Sequence, residues 1–399
     1  MTHVILCADI GTTSLKAALF NLDAKLLSYV KHYYENPVEP DWQSSFSQIS
    51  KKIFSAFNTD LSLDAICICG NGPTLASGKY QLMWNRSFPH SSNEYTGSSI
   101  FLPQVLNFRE IYPASFNSSS YIYPCPEYLC HLLTGNSYVI LNEKRFTSAY
   151  WTKEELEKYQ IPEYKLPPYI LSTQEYGVLT KEKAGDFSIP ENILAKNGTK
   201  VFCNGSDFAS FLTGTNILRP GRSANRTGTS EGINLCTDKP LKAGGIRTLP
   251  SICEDCFNAS VLIPDGGSIF ARYKDANFPD SSFEEVINFA LQDKKSEGYK
   301  VIMKIFNKEK EAINKLNSLA KKSGCKTITS LVISGPHTRF PEALQLKADV
   351  LGLPLEIPEI TVTELSGCFC NAMAGLKKAS SIYDAAQKYI KNAKIINPK

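Results

Sequence analysis

Residues 9–16 read Asp-Ile-Gly-Thr-Thr-Ser-Leu-Lys, directly follow an apolar run, and carry side chains that could bind phosphate. Gly11 allows the backbone to turn tightly, Asp9 could hold Mg²⁺ directly or through water, and Lys16 adds a positive charge. The hydroxyl and backbone N–H groups that could donate to phosphate oxygens are those of Thr12, Thr13 and Ser14. The alternative interpretation is a polar hairpin turn, but the position straight after an apolar strand favours phosphate binding.

A second segment of the same residue types, Thr227, Gly228, Thr229 and Ser230, lies in the other half of the chain. Gly/Thr/Ser turns are common, so this segment alone is a weak signal. Together with residues 9–16, it predicts two turns that bind one polyphosphate. The chain has neither a Gly-x-x-x-x-Gly-Lys-Ser/Thr loop nor a Gly-x-Gly-x-x-Gly loop after a strand, so phosphate must be held in another way.

The elements around these segments are predicted to alternate between strands and helices, which is typical of an α/β protein with a mostly buried sheet. Apolar runs bounded by turns predict strands, and apolar residues three or four apart predict helices. The predicted strands are residues 4–9, 15–20, 64–69, 199–203 and 330–333, with two more flanking the turn within 222–235. The predicted helices are residues 46–57, 297–322, 344–351 and 384–390, and one that begins at Phe208. Those at 344–351 and 384–390 are predicted to be surface helices.

Each half of the chain therefore carries a Gly/Thr/Ser turn between two predicted strands. This layout indicates a weak internal duplication, visible in the order of elements rather than in sequence identity. We expect two domains, residues 1–200 and residues 201–399.

The composition is that of a globular protein long enough for two domains, with 399 residues, 43% hydrophobic and 21% charged. A net charge of +4 does not argue for nucleic acid or membrane as a partner. We expect neither a signal peptide nor a run of roughly 18 apolar residues that could span a bilayer, and hence a cytoplasmic location.

Among 12 cysteines, Cys253 and Cys256 form a Cys-x-x-Cys pair. Without a second pair at zinc-finger spacing, packing or surface thiols are favoured over zinc.

Taken in order, these segments resemble the motifs of the FGGY carbohydrate kinases, within the actin/hexokinase-like ATPase superfamily. The resemblance covers nearly the whole chain, and its weight comes from the order and spacing of the motifs. The matching segments are residues 9–16, 68–75, 82–86, 102–103, 124–135, 205–207, 219–221, 228–230, 335–336 and 345–354.

The resemblance implies an α/β fold of two ribonuclease-H-like (actin-like ATPase) domains with an interdomain cleft. Residues 1–200 would form the sugar side, and residues 201–399 a shortened nucleotide side. It also implies ATP and Mg²⁺ as cofactors, with the phosphoryl group passing to a hydroxyl of a sugar, polyol or sugar acid. The expected partners are these small molecules, and a homodimer stays open.

The resemblance also implies roles for individual residues. Asp207 stands where the family has its catalytic aspartate, and would orient the attacking hydroxyl and accept its proton. Aspartate is also a preferred helix N-cap, so a capping interpretation stays open beside the catalytic one. The implied sugar-side residues are Asn71, Gly72, Pro73, Trp84, Asn85 and Asp207. The implied nucleotide-side residues are Gly11, Thr12, Thr13, Ser14, Lys16, Thr227, Gly228, Thr229, Ser230, Gly335, Pro336 and Gln345, with Asp9 as the metal ligand.

The sequence departs from the family pattern in both halves. The sugar-side replacements are Asn71, Pro73 and Thr74 for Gln, Met and His, and Asn85 for an aspartate. Pro336, which lacks a backbone N–H, and His337 replace glycines at the nucleotide turn. His337 could be a ligand or a base, but a histidine beside a turn is more often a solvated surface residue. The stretch between residues 275 and 334 is too short for one family motif. The alternative function is therefore a non-catalytic sugar- or nucleotide-binding pseudokinase that acts as a sensor or partner subunit.

Overall fold

The computed structural model describes residues 1–57, 60–86, 95–119, 121–228 and 231–399. The chain divides into two compact units. The first unit comprises Met1–Gly214 and Glu364–Tyr389, and the second comprises Thr215–Thr363 and Ile390–Lys399. These bounds differ from the predicted division at residue 200, which lies inside a strand of the first unit. That the second unit is shortened relative to the family stays a prediction.

The first unit is built on a sheet whose strands are connected by helices and by smaller two- and three-stranded sheets. Its strands up to residue 214 are β1 (Thr2–Ile10), β2 (Ser14–Asn21), β3 (Leu26–Tyr33), β4 (Leu61–Gly70), β5 (Leu75–Ser77), β6 (Tyr80–Leu82), β7 (Tyr123–Pro124), β8 (Val139–Leu141), β9 (Tyr169–Leu171), β10 (Gly177–Leu179) and β11 (Thr199–Ser206). Its helices there are α1 (Trp42–Phe54), α2 (Leu102–Ile111), α3 (Pro113–Ser118), α4 (Cys125–Thr134), α5 (Thr147–Tyr150), α6 (Lys153–Lys158), α7 (Lys181–Asp186) and α8 (Asp207–Gly214).

The second unit contains its own sheet and a set of longer helices. Its strands are β12 (Ser223–Arg226), β13 (Glu231–Thr237), β14 (Arg247–Pro250), β15 (Phe257–Ile263), β16 (Leu331–Ser334), β17 (Leu355–Pro358) and β18 (Asn392–Ile396). Its helices are α9 (Gly266–Asn277), α10 (Phe283–Gln292), α11 (Glu297–Lys322) and α12 (Pro341–Leu351). Between β17 and β18 the chain returns to the first unit through α13 (Thr363–Gly375) and α14 (Ile382–Tyr389).

The main sheet of the first unit has the strand order β10-β11-β4-β1-β2-β3. The strands β1, β2 and β3 form an antiparallel meander, whereas β4 is parallel to β1 and β11 is parallel to β4. Residues 4–10 of β1 are all buried, as expected for a strand covered on both faces of its sheet. In the parallel part, Ile10 and Ser206 both pair with Gly70, so the carboxyl ends of β1, β4 and β11 lie at one edge.

The sheet of the second unit, in the order β14-β15-β13-β12-β16-β17-β18, repeats this arrangement. Antiparallel neighbours β12, β13 and β15 lie on one side, and parallel neighbours β16 and β17 follow β12 on the other. The same pairing pattern in both units confirms the α/β class and the duplicated layout. The predicted repeat was visible only in turns and strands because few identities remain between the halves.

Most predicted elements are present, with shifts at their ends. The helix predicted at 297–322 is α11, which Ser296 caps by accepting a hydrogen bond from the Tyr299 N–H at 3.1 Å. The helix predicted at 46–57 begins earlier, because Asp41 caps it by accepting from the Ser44 N–H at 2.9 Å. The helix predicted at 344–351 is the end of α12, and it is not simply a surface helix because Lys347 is fully buried.

Hydrophobic cores lie between the sheets and their helices. In the second unit, a separate apolar cluster joins α9, α10 and α11 through side chains such as Phe270, Val286 and Phe306. None of the helices in the described ranges has the length and apolar character needed to cross a bilayer.

A carboxyl group is buried in the first unit, at the start of α4. Glu127 is fully buried, and its Oε1 accepts a hydrogen bond from the Ile140 N–H at 3.1 Å. Its Oε2 has no hydrogen-bond partner within the described residues. Burial therefore raises the pKa of Glu127 from 4.5 to about 7.

Replacement of Glu127 by glutamine is expected to change how stability depends on pH. Between the unfolded pKa near 4.5 and the folded pKa near 7, native Glu127 binds a proton that the unfolded chain has lost, so stability falls as pH rises. An amide does not titrate. The free energy of unfolding of wild type should therefore fall with pH, whereas that of Glu127→Gln should not show this loss. Between pH ~5 and pH ~8, the difference between variant and wild type should shift by about 2 kcal/mol in favour of the variant. Denaturant unfolding at both pH values measures this change.

The matched control is Glu157→Gln, which alters an exposed carboxylate of α6 and should follow wild type at both pH values. If Glu127→Gln also follows wild type at both, Glu127 is not the titrating group.

Candidate active site

The first predicted phosphate turn joins β1 to β2 and depends on a glycine. The Gly11 N–H donates to the Ser14 carbonyl oxygen at 3.0 Å, which closes the turn. A Cβ at position 11 would lie 2.8 Å from that same oxygen, so a larger residue would force the turn open. Thr12 and Thr13 lie at the tip of the turn, where Thr13 is exposed.

Asp9 and Lys16 face each other across the two strands that this turn joins. Lys16 Nζ donates to Asp9 Oδ2 at 2.8 Å, and the Cys69 thiol lies 3.7 Å from Asp9 Oδ1. Burial raises the pKa of the Asp9 carboxyl, Lys16 opposes this change, and the carboxylates of Glu364 and Asp207 raise the pKa further. The carboxylates of Glu364 and Asp207 thus lie near enough to Asp9 to affect its pKa. Carboxylate oxygens are ligands that Mg²⁺ prefers, so Asp9 fits the predicted metal by its residue type.

The predicted sugar-side residues connect to the phosphate turn through one hydroxyl group. Thr12 Oγ1 accepts hydrogen bonds from Asn71 Nδ2 at 3.1 Å and from Trp84 Nε1 at 2.9 Å. Asn71 Oδ1 in turn accepts from the Thr74 hydroxyl at 2.8 Å, which itself accepts from the Trp84 N–H at 3.1 Å. With two bonds accepted, the Thr12 hydroxyl still has its own proton to donate. Residues predicted for phosphate and for sugar therefore form one polar network.

The remaining sugar-side residues differ in their exposure. Trp84 is 44% exposed, which leaves part of its ring free for stacking. Asn85 is exposed, and Gly72 packs so closely that a Cβ there would lie 2.9 Å from Phe101 Cζ. Pro73 is half-buried beside Gly72. The structure thus brings Asn71 and Trp84 together and leaves Asn85 outside this network.

Asp207 is the first residue of α8, immediately after β11. Ser206, the last residue of β11, has an Oγ that accepts from the Ala209 N–H at 3.4 Å. The catalytic and the capping interpretations of Asp207 both stay predictions. The carboxylate lies near enough to raise the pKa values of both Asp9 and Cys125.

The second predicted phosphate turn packs against the predicted nucleotide turn within the second unit. The Thr227 N–H and hydroxyl both donate to the Ser334 carbonyl oxygen, at 2.9 and 2.7 Å. Gly335 has φ of +94°, and a Cβ there would collide with the Thr227 carbonyl oxygen, so both the conformation and the contact require glycine. Gly228 accepts from the Gly267 N–H at 3.1 Å. Thr229 and Ser230 lie outside the described residues, so their placement stays a prediction.

The other nucleotide-side residues are placed as follows. Pro336 begins a short 3₁₀ turn, Pro336–Arg339, after Gly335. Gln345 Nε2 donates to Asp349 Oδ1 at 3.0 Å and to the Asn397 carbonyl oxygen at 2.9 Å, which ties α12 to the end of the chain. Its predicted role toward a nucleotide stays a prediction.

His337 was predicted to be solvated because it lies beside a turn, but the structure encloses most of its side chain. Its side chain is 22% exposed, and its Nε2 lies 3.3 Å from the buried carboxylate oxygen Oε1 of Glu231. Its backbone N–H also donates to Thr227 Oγ1 at 3.3 Å. The prediction failed because Glu309 of α11, an earlier helix, and Lys347 of α12, the helix that follows, are both buried near the His337 ring.

Those side chains form a charge cluster that the sequence analysis missed. Lys347 Nζ lies 2.7 Å from Glu309 Oε1, and both side chains are fully buried. Asn225 Nδ2 donates to the same oxygen at 2.7 Å, and Lys347 Nζ lies 3.4 Å from His337 Nδ1. The cluster is defined here as Asn225, Glu231, Glu309, His337 and Lys347.

The pKa values in the charge cluster follow from burial and charge. Burial, and then the neighbouring Glu309, raise the pKa of Glu231 to about 10. Burial would raise the pKa of Glu309, but Lys347 beside it lowers that pKa below its ordinary value. Burial and the nearby Lys347 lower the pKa of His337 to about 3, so the ring is neutral.

A signal for this cluster was present in the sequence. Glu309 occupies an apolar-stripe position of α11, between Ile305 and Ile313, and Lys347 does so in α12, between Leu344 and Leu351. A charged residue at such a position indicates a buried partner. Glu364, near Asp9, offered no comparable signal, because an acidic residue in the first turn of a helix is ordinary.

Solved structures share this fold over the whole chain. A xylulose kinase from Lactobacillus acidophilus has a TM-score of 0.79 and 15% identity, and the match covers 100% of this chain and 94% of that chain. A gluconate kinase from the same organism gives the same values. A glycerol kinase from Plasmodium falciparum, solved with ADP, has a TM-score of 0.78 and 13% identity, with 100% and 94% covered. These matches confirm the predicted two-domain fold.

No protein-family model and no curated protein matches the sequence. At such identities the similarity to solved structures establishes the fold, and the chemistry has to be argued from the residues themselves.

Proposed function

We propose that this chain, which has the fold of the FGGY carbohydrate kinases, transfers the γ-phosphoryl group of ATP to a hydroxyl of a sugar, polyol or sugar acid. One observation carries the proposal. Asp9, Asn71 and Asp207 lie at the carboxyl ends of three adjacent parallel strands, β1, β4 and β11, whose ends are in register. In open α/β sheets, ligands bind at this edge.

Asp207 is the proposed catalytic residue. A carboxylate positioned beside the attacking hydroxyl orients the oxygen toward the phosphorus and accepts its proton as the new P–O bond forms. A carboxylate is a weak base toward an alcohol, so orientation is its larger contribution. The groups that bind the phosphoryl oxygens would supply most of the barrier reduction.

The turn at residues 11–14 is the proposed phosphate site of the first unit. Its backbone N–H groups and hydroxyls would donate to phosphate oxygens, and Lys16 would add a positive charge beside Asp9. Asp9 is the proposed ligand of Mg²⁺, which when bound neutralises charge on the phosphoryl group. The turn formed by Thr227 and Gly228 against Gly335 is the proposed phosphate site of the second unit.

The network of Thr12, Asn71 and Trp84 is the proposed acceptor site. An amide, a hydroxyl and an exposed indole face are suited to the hydroxyl groups and the apolar ring face of a sugar. Because Thr12 belongs to the phosphate turn, the network would hold the acceptor beside the group that it receives.

Release of ADP from ATP–Mg is expected when the correct acceptor is present. A coupled assay over a panel of ketoses, aldoses, polyols and sugar acids measures this release, with ATP alone as the control for hydrolysis. Stimulation by one acceptor class would identify the substrate. If no acceptor raises ADP release above the control, the kinase proposal is wrong.

Pro336 favours a second candidate function, binding without catalysis. It has no backbone N–H to donate at a turn that packs against Thr227. A protein that binds ADP–Mg in calorimetry yet releases no ADP with any acceptor would be a sensor or partner subunit.

A further inference from the structure

The charge cluster of the second unit places three metal-binding side chains from three separate elements at one point. Glu231 is the first residue of β13, Glu309 lies in the middle of α11, and His337 follows β16. One ligand atom of each lies within 4.8 Å of the others. Both carboxylates are fully buried, and the histidine is mostly enclosed.

The cluster has more buried acceptor atoms than donors. Both carboxylate oxygens of Glu231, Oε2 of Glu309 and Oδ1 of Asn225 have no hydrogen-bond partner within the described residues. Buried oxygens without a partner are costly, and carboxylate oxygens especially so. A cation is the kind of group that satisfies several such oxygens at once.

Lys347 accounts for only one of the two carboxylates. Its Nζ and the Asn225 amide both contact Glu309 Oε1, at 2.7 Å each, and Glu309 Oε2 has no hydrogen-bond partner among the described residues. No ion pair to lysine or arginine is found for Glu231 in the part of the chain that the structure describes. With Glu231 ionised, the cluster would therefore be one positive charge short, and without a cation the carboxyl keeps its proton.

Glu231 is also held in place. A Cβ at Gly266, the first residue of α9, would collide with the Glu231 side chain, so the helix packs directly against the carboxylate. His337 is fixed through its backbone N–H to Thr227 Oγ1 and turns Nε2 toward Glu231, at 3.3 Å. The three side chains thus converge because the fold confines them.

We propose that Glu231, Glu309 and His337 bind a first-row divalent cation such as Mn²⁺ or Zn²⁺ in the second unit. Two carboxylates and one imidazole nitrogen are ligands that both ions accept, and Asn225 Oδ1 is a candidate fourth ligand. Binding through Nε2 requires the His337 tautomer with its proton on Nδ1. Lys347 Nζ, which lies 3.4 Å from Nδ1, would then donate to Glu309 and no longer to His337. The ion would connect β13, α11 and the turn after β16, and so stabilise the contact between Gly335 and Thr227.

Mn²⁺ is the probe for the experiment, because thiolates prefer softer ions and the Cys253 and Cys256 pair would confuse a zinc measurement. The full-length protein, free of nucleotide, carries Asp9→Asn so that the carboxylate site of the first unit does not contribute. Loss of the EPR signal of free Mn²⁺ measures binding. We expect about one Mn²⁺ per chain, as for a single site of this ligand set.

Glu231→Gln and His337→Gln should each weaken Mn²⁺ binding by at least about tenfold. Glu284→Gln, which removes an exposed carboxylate from the first turn of α10, is the matched control and should bind as the parent does. Using two variants on separate elements keeps the test decisive if one of them fails to fold. If the parent binds no Mn²⁺, or if both variants bind as the control does, the proposal is wrong. Glu231 is then a protonated carboxyl that accepts from the His337 Nε2–H.

Discussion

Replacing Asp207 by asparagine is expected to lower the turnover number for sugar phosphorylation by about two to four orders of magnitude, the usual contribution of a positioned general base. Asparagine has nearly the same shape, so the fold and ligand binding should be preserved. The neutral amide can donate to the acceptor hydroxyl but cannot take its proton. The loss should therefore appear in kcat more than in KM, because the proton is transferred in the transition state.

Steady-state kinetics with the acceptor found in the panel assay measures this effect. The matched control is Asp186→Asn, the same substitution at an exposed position of α7 in the same unit, and it should turn over as wild type does. Asp207→Asn with wild-type kcat would contradict the catalytic assignment and leave the fold untouched.

Replacing Lys347 by methionine is expected to lower the free energy of unfolding by about 3–5 kcal/mol, the range for breaking a buried ion pair by removing one partner. Methionine is similar in length and apolar, so the packing of α12 is largely kept. Glu309 would lose its ammonium partner at 2.7 Å while staying fully buried. Denaturant unfolding in the presence of EDTA, which removes any bound cation, measures the loss.

Two further variants separate charge from packing. Lys347→Met combined with Glu309→Gln removes the uncompensated charge and should recover part of the loss. Lys300→Met breaks an exposed pair with Glu297 in α11 and should cost less than about 1 kcal/mol. If Lys347→Met costs no more than Lys300→Met, the buried pair does not stabilise the native state.

The fold was largely predictable because its signals are local. In β1 and β2, apolar runs flank a turn that only glycine at position 11 can close, so strand, turn and strand are all encoded within a few neighbouring residues. The helix α11 was predicted with its observed bounds as a lysine-rich helical region, and the structure adds that Ser296 caps its start. The order of such segments was sufficient to predict a duplicated α/β architecture.

The candidate site was only partly predictable. Thr12, Asn71 and Trp84 were predicted from the sequence as site residues. Their hydrogen bonds to one another were not, because Thr12 and Trp84 are 72 residues apart along the chain and only the fold brings them together. Glu364 was not predicted, because it belongs to the first unit only through the return of α13 late in the chain.

By itself, the sequence determined which residue types end the strands, where the turns are tight, and which helix faces are apolar, because each depends on neighbours along the chain. Only the tertiary structure decided that Glu309 and Lys347, 38 residues apart, form a buried pair, and that His337 is enclosed beside Glu231. The physical reason is that a charged side chain in an apolar stripe indicates burial but does not specify its partner. The packing of α11 and α12 over the second sheet brings the opposite charges together.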